Sequence, residues 1–144
     1  MQVFDFAVEQ KWDVKAQVEK LLGREGGGDF SVACWEPGQI SQYHCHPSAT
    51  EIYFCFSGGG QMHTPTETVD IVPGSFVVHP RGELHEFENG PQRTLLFRVR
   101  YGPDPVMRLI GWRGHPEQQL SREDQEYFAA NPPGITFNPQ GVSR

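Results

Sequence analysis

The chain has 144 residues, enough to bury one core and too few for two ordinary domains. A formal net charge of -6 with scattered Lys and Arg excludes the basic patches that grip nucleic acid or an anionic membrane surface. No apolar run reaches the length of a membrane span, and the Gln-Val-Phe-Asp-Phe after Met1 has neither part of a signal peptide, so a cytoplasmic protein is expected.

In chain order, residues 1–29 read as a lead-in strand, a short helix and a loop. Asp13 can cap a helix over 14–22, because Val14, Val18, Leu21 and Leu22 follow helical spacing and Gly23 can end it. Gly26-Gly27-Gly28 is then a loop, without the Lys-Ser/Thr pair of a nucleotide cradle. Residues 30–101 change to short alternating runs at 30–35, 39–46, 51–56, 61–64, 67–72, 75–79, 85–88 and 94–101, the pattern of an all-β barrel or double sheet. Gly58-Gly59-Gly60 and Val72-Pro73-Gly74 supply tight turns between them. Residues 102–144 form an extension opened by Gly102-Pro103-Asp104-Pro105. Its 106–112 stretch lies across the barrel mouth or packs outside it. Ser121, answered by Asp124, starts a helix that ends near Asn131-Pro132-Pro133. The last dozen residues read as an extended arm or a loose tail. Cys34, Cys45 and Cys55 form no CxxC pair, so a disulfide framework is not expected, and Cys34 and Cys45 read as small buried residues.

The stretch from Gly38 to Gly58 carries the chemistry. His44 and His46 are two apart, so on a strand both imidazoles leave one face and can converge on one ion, while Cys45 points away. Glu51 is an odd number of residues further on, so the chain must turn at Pro47 and Ser48 to bring it to that face. His85 follows a second turn, Pro80-Arg81-Gly82. Three imidazoles and a carboxylate are expensive to bury without an ion or an equivalent polar network. His63, His79 and His115 are expected to be solvated surface residues.

These residues resemble the two motifs of the cupin superfamily. Gly38, His44, His46, Glu51 and Gly58 fill the first, and Gly74, Pro80, Gly82, His85 and Asn89 fill the second, the resemblance covering about residues 30–100. The short N-terminal helix and the partly helical C-terminal extension are read from spacing and capping alone, whereas the resemblance implies a jelly-roll barrel, the double-stranded β-helix, with His44, His46, Glu51 and His85 as metal ligands. Such an N/O set suits one divalent transition metal, Fe, Mn, Co, Ni or Zn, better than Ca or Mg. A six-coordinate ion would keep two open positions, whereas a tetrahedral zinc bound by all four would be closed.

Strand periodicity nominates the surroundings. Tyr53 and Cys55 share the Glu51 face, opposite Ile52, Phe54 and Phe56. Tyr53 is the candidate acid/base, and a phenol two residues past the ligand Glu resembles the arrangement in cupin-type dimethylsulfoniopropionate lyases. Arg98 and Arg100 share a face opposite Leu95, Phe97 and Val99. If that face is interior they would hold an anionic substrate, and if not they are surface charge. Gln42 and Phe87 follow the faces of His44 and His85 and are candidate pocket residues; Met62 and Phe76 are further candidates for setting its size. The first expectation is a metal-dependent dioxygenase-type oxidoreductase acting on a small chelating or anionic metabolite. The alternatives are a redox-neutral lyase, isomerase or decarboxylase that uses Tyr53, and a non-catalytic ligand-binding cupin. A homodimer is expected, with Val3, Phe4 and Phe6 supplying an exchanged strand.

Overall fold

The computed structural model describes residues 1–133; the expectation for the final arm falls almost wholly outside them. Ten strands and two helices follow one another: α1 (Phe6–Glu9), β1 (Val18–Glu25), β2 (Gly28–Trp35), β3 (Tyr43–Cys45), β4 (Thr50–Ser57), β5 (Gly60–His63), β6 (Thr68–Ile71), β7 (Phe76–His79), β8 (Glu86–Asn89), β9 (Thr94–Tyr101), β10 (Arg108–Gly111) and α2 (Arg122–Ala130). One sheet runs β1-β2-β9-β4-β7, every neighbour antiparallel. The other combines β10-β3 with β8-β5-β6, joined by single bridges His44↔His85 and Ile40↔Glu88. The two sheets face each other as a double-stranded β-helix.

The register sorts the interior into layers. Ala33, Leu96 and Cys55 lie side by side on β2, β9 and β4, and with Trp35, Tyr53, Met62, Ile71 and Phe87 they build an apolar floor. Trp35 and Phe87 meet edge to face at 4.9 Å. Two residues toward the open end the layer is Ser31, Arg98, Tyr53 and Val77, and beyond it Asp29, Arg100, Glu51 and His79. One end of the barrel is therefore apolar and the other ionic. Gly58 closes the β4–β5 turn at φ 77°, where a Cβ would run into the Arg93 carbonyl and Thr94.

The expected helix over 14–22 is not formed; residues 18–25 are strand β1, paired to β2. A β-bulge between Leu21 and Gly23 inserts an extra residue, which gives Val18, Leu21 and Leu22 a three-and-four spacing that imitates a helix. Asp13 does cap, but only a turn, accepting from the Lys15 N–H at 2.8 Å. The N-terminal helix is instead the single turn α1, capped by Asp5, and no lead-in strand precedes it. Phe4 and Phe6 pack against Phe30, Phe56 and Phe97 on the outer face of this chain's own sheet.

The 106–112 stretch is part of the barrel wall, with Met107 lining the inner cavity. Its strand β10 extends the second sheet beside β3, and α2 covers the outer side of both through Tyr127 and Phe128 against Tyr43, Cys45, Leu84 and Ile110. Ser121 caps α2 by accepting from the Asp124 N–H. Asp124 in turn accepts from the Ser121 hydroxyl and the Leu109 N–H, tying the helix to β10. The three cysteines are buried free thiols.

Candidate metal centre

β3 supplies His44, the residue after it supplies His46, β4 supplies Glu51, and the residue preceding β8 supplies His85. All four are buried. The turn 47–49 corrects the parity of Glu51, as the spacing demanded. Glu51 Oε2 is the meeting point: His85 Nε2 lies 2.9 Å from it, His46 Nε2 3.5 Å and His44 Nε2 3.7 Å. Donor atoms of His44, Glu51 and His85 all lie within 4.8 Å of one another, a group able to hold a metal ion. His46 reaches Glu51 but its ring is 6.4 Å from that of His85, so His46 sits at the margin of the set.

The other nitrogen of each ring is committed. His44 Nδ1 donates to the Gln42 carbonyl at 2.9 Å, His85 Nδ1 to the Glu83 carbonyl at 3.0 Å, and His46 Nδ1 to the Pro105 and Val106 carbonyls at 3.2 and 3.1 Å. Carbonyls only accept, so each Nδ1 carries a proton and each ring turns its Nε2 toward Glu51. Burial, with His44 and His79 nearby, drives His85 down to about 3, so it is neutral at ordinary pH. A bare nitrogen 2.9 Å from a carboxylate oxygen sets acceptor against acceptor, an arrangement a cation resolves. The donor set fits a divalent transition metal on this ground.

Arg98 is interior, and fully engaged. Its guanidinium reaches Glu51 Oε1 at 3.2 Å, Asp29 at 2.5 Å, Glu19 at 2.7 Å and the Ser31 hydroxyl at 2.9 Å. Arg100 pairs with Asp29 at 2.8 Å. Tyr53, Gln42, Phe87, Arg98 and Arg100 all line a cavity of about 70 Å³ beside the four candidate ligands, together with Gln17, Glu19, Trp35, Met62 and Met107. Burial, and then the charges of Glu51 and Glu19, raise the Tyr53 phenol well above its usual value.

Three expectations are corrected. Phe76 is 63 % exposed on the outer sheet face and sets nothing in the pocket. His63 and His79 are buried, not solvated: His63 bonds Thr68 and pairs with Glu88, and His79 stacks on His85. Only His115 of the three keeps substantial exposure. The alternation of 75–79 misleads because its apolar members, Phe76 and Val78, face out, leaving Val77 and His79 inside. Asp29 and Glu19, which hold Arg98, were not singled out because β2 starts two residues earlier than its apolar run and β1 reads as helix. Glu83 had no signal beyond its place in the turn.

The family model described as "Cupin domain" matches residues 31–97. The chain belongs to the cupin superfamily. No curated protein matches the sequence. Among solved structures this cupin is similar to a conserved protein with a double-stranded β-helix domain from Klebsiella pneumoniae, at TM-score 0.70 and 17 % identity over 76 % of this chain and 96 % of that one. It is also similar to an oxalate oxidase in complex with the substrate analogue glycolate, at TM-score 0.59 and 18 % identity over 68 % and 57 %. A proposed sugar phosphate isomerase from Acidithiobacillus ferrooxidans matches at TM-score 0.55 and 26 % identity over 61 % and 60 %. No helix among the described residues is long and apolar enough to cross a membrane.

Proposed function

We propose that this cupin is a metal-dependent enzyme acting on a small anionic or chelating metabolite, with dioxygenase-type oxidation as the first reading. The observation that carries it is the convergence of three imidazole Nε2 atoms on one buried carboxylate oxygen beside a cavity. When bound, a divalent ion supplies a Lewis-acid centre with positions left for a chelating substrate. The protein does the rest. Carbonyls at Gln42, Glu83, Pro105 and Val106 fix the histidine tautomers, and Arg98 holds the second oxygen of Glu51. Trp35, Met62, Phe87 and Met107 give the cavity apolar walls that exclude bulk water. About 70 Å³ admits on the order of five water-sized atoms, which limits the substrate to a few non-hydrogen atoms beside the ion. Arg98 and Arg100 are already matched by Asp29, Glu19 and Glu51, so an anionic or chelating substrate would be held chiefly by the ion.

The redox-neutral reading, lyase or isomerase, is favoured by a different observation: the Tyr53 phenol lines the cavity beside the candidate ligands, and its raised pKa would have to fall, beside a bound ion, before it could move a proton. The likeness to the proposed sugar phosphate isomerase supports the same reading. Oxygen consumption during turnover by the iron-loaded protein is expected under the first reading. Turnover undiminished without oxygen, and cut at least tenfold in Tyr53→Phe with metal content unchanged, belongs to the second. A metabolite screen with no turnover at all would leave a ligand-binding cupin. Assembly as a homodimer is likewise a proposal, supported by the exposed outer residues Phe56, Phe76 and Val78, and sedimentation as a monomer at micromolar concentration contradicts it.

A further inference from the structure

His79 is buried inside the barrel, yet it fills no prescribed position of either cupin motif and does not line the cavity. Its ring lies parallel to that of His85, 3.8 Å between centroids and 7° between planes. Both rings are tied to one residue. Glu83 accepts from His85 Nδ1 with its backbone carbonyl at 3.0 Å and from His79 Nδ1 with its carboxylate at 2.8 Å. Gly82, at φ 78°, turns the chain so that Glu83 presents both acceptors to the stack, and its N–H is fastened to the His46 carbonyl at 2.9 Å. Across the β4–β7 ladder His79 lies opposite Glu51 itself.

Packing alone does not explain an imidazole here. His79 Nε2 is buried without a hydrogen-bond partner among the described residues, a cost of about 1–3 kcal/mol that a phenyl ring would not incur. What imidazole offers is a flat face held at a fixed angle by the bond to Glu83. Against that face His85 cannot tilt about its own bond to the Glu83 carbonyl.

We propose that His79 and Glu83 form a clamp that positions His85, and through it fixes where the metal centre's nitrogen stands relative to Glu51. The proposal rests on the metal reading of the site, and His79 is a positioning residue, not a ligand. Removing the ring face frees His85 to swing, so the ion loses both affinity and defined geometry. Restoring a flat face without the bond to Glu83 restores only part of both.

The test uses the full chain loaded with cobalt(II), with affinity read by chelator competition and geometry by the visible absorption bands. His79→Ala is expected to weaken cobalt binding by about ten- to a hundredfold and to change the bands. His79→Phe, which keeps a flat face but loses the bond to Glu83, is expected to recover only part of both, and full recovery would show that the Glu83 bond does no positioning. Wild-type affinity and spectrum in His79→Ala, or no recovery in His79→Phe, overturns the clamp while leaving the metal site standing. The metal-free protein separates the two claims. In its histidine-selective nitrogen–proton spectrum, the His85 Nδ1–H signal is expected to be sharp in the parent, broader in His79→Phe and broadest in His79→Ala. An equally sharp signal in all three overturns the clamp whether or not cobalt binds. Failure of the parent to take up cobalt overturns the metal reading on which the clamp's purpose depends.

Discussion

At the scale of single residues the site depends on a cation the protein supplies itself. Arg98 is buried with Asp29 and Glu51, and Glu19 closes over it from the half-exposed side. Two of these carboxylates have no comparable route to water, so the guanidinium both neutralises them and aims Glu51 Oε2 at the imidazoles. Arg98→Met should therefore lower stability by about 3–5 kcal/mol in urea unfolding, because truncating one partner of a buried ion pair leaves the others uncompensated. A loss below about 1 kcal/mol would mean the cluster is solvated. The placement of Arg98 followed from alternation in 94–101 once its face was known. Its partners did not, since a charge in one strand says nothing about which strand lies beside it. His79 shows the same limit. Its strand has apolar residues at both parities, and only the packing of β4 against β7 reveals which face is inside.

At the scale of elements, the parts with unbroken alternation and glycine turns were legible and the parts with an irregularity were not. β4 alternates clearly up to an irregularity between Cys55 and Ser57, just before the motif glycine Gly58, and β9 alternates along 96–100. β1 was read as helix because one bulge residue converts a period of two into an apparent helical period. The C-terminal helix was legible because Ser121 and Asp124 are a local capping signal that needs no tertiary partner. What the sequence could not show is that Asp124 also anchors β10 through the Leu109 N–H. Ser121→Ala should cost about 1 kcal/mol. The measurement is the thermal midpoint together with hydrogen exchange in 108–111, where protection should fall with that of the helix. Unchanged protection in β10 would show that α2 is an appendage.

At the scale of the whole molecule, the buried histidines make stability depend on pH in a defined direction. Burial drives His79 down to about 4 and His85 to about 3, against an ordinary value near 6.5 in the unfolded chain. Between pH 6.5 and about 4 the unfolded chain binds more protons than the folded one, so acid favours unfolding across that window. The stabilising contribution is complete above pH 6.5. By pH 5 it is reduced by about 2 kcal/mol for each of these two histidines. For metal-free protein the thermal midpoint should thus fall clearly between pH 7.5 and pH 5, and a flat midpoint over that range would mean that the imidazoles are hydrated.

The same group of imidazoles and one carboxylate, folded into the ionic end of a double-stranded β-helix, is what the functional account stands on. The most direct measurement is elemental analysis of protein purified without a histidine tag, beside its His46→Ala and Glu51→Ala variants. The account predicts about one divalent transition metal per chain in the parent and close to none in Glu51→Ala, with a marked loss in His46→Ala. A parent that carries no metal and takes none up, or variants that hold as much as the parent, would contradict it.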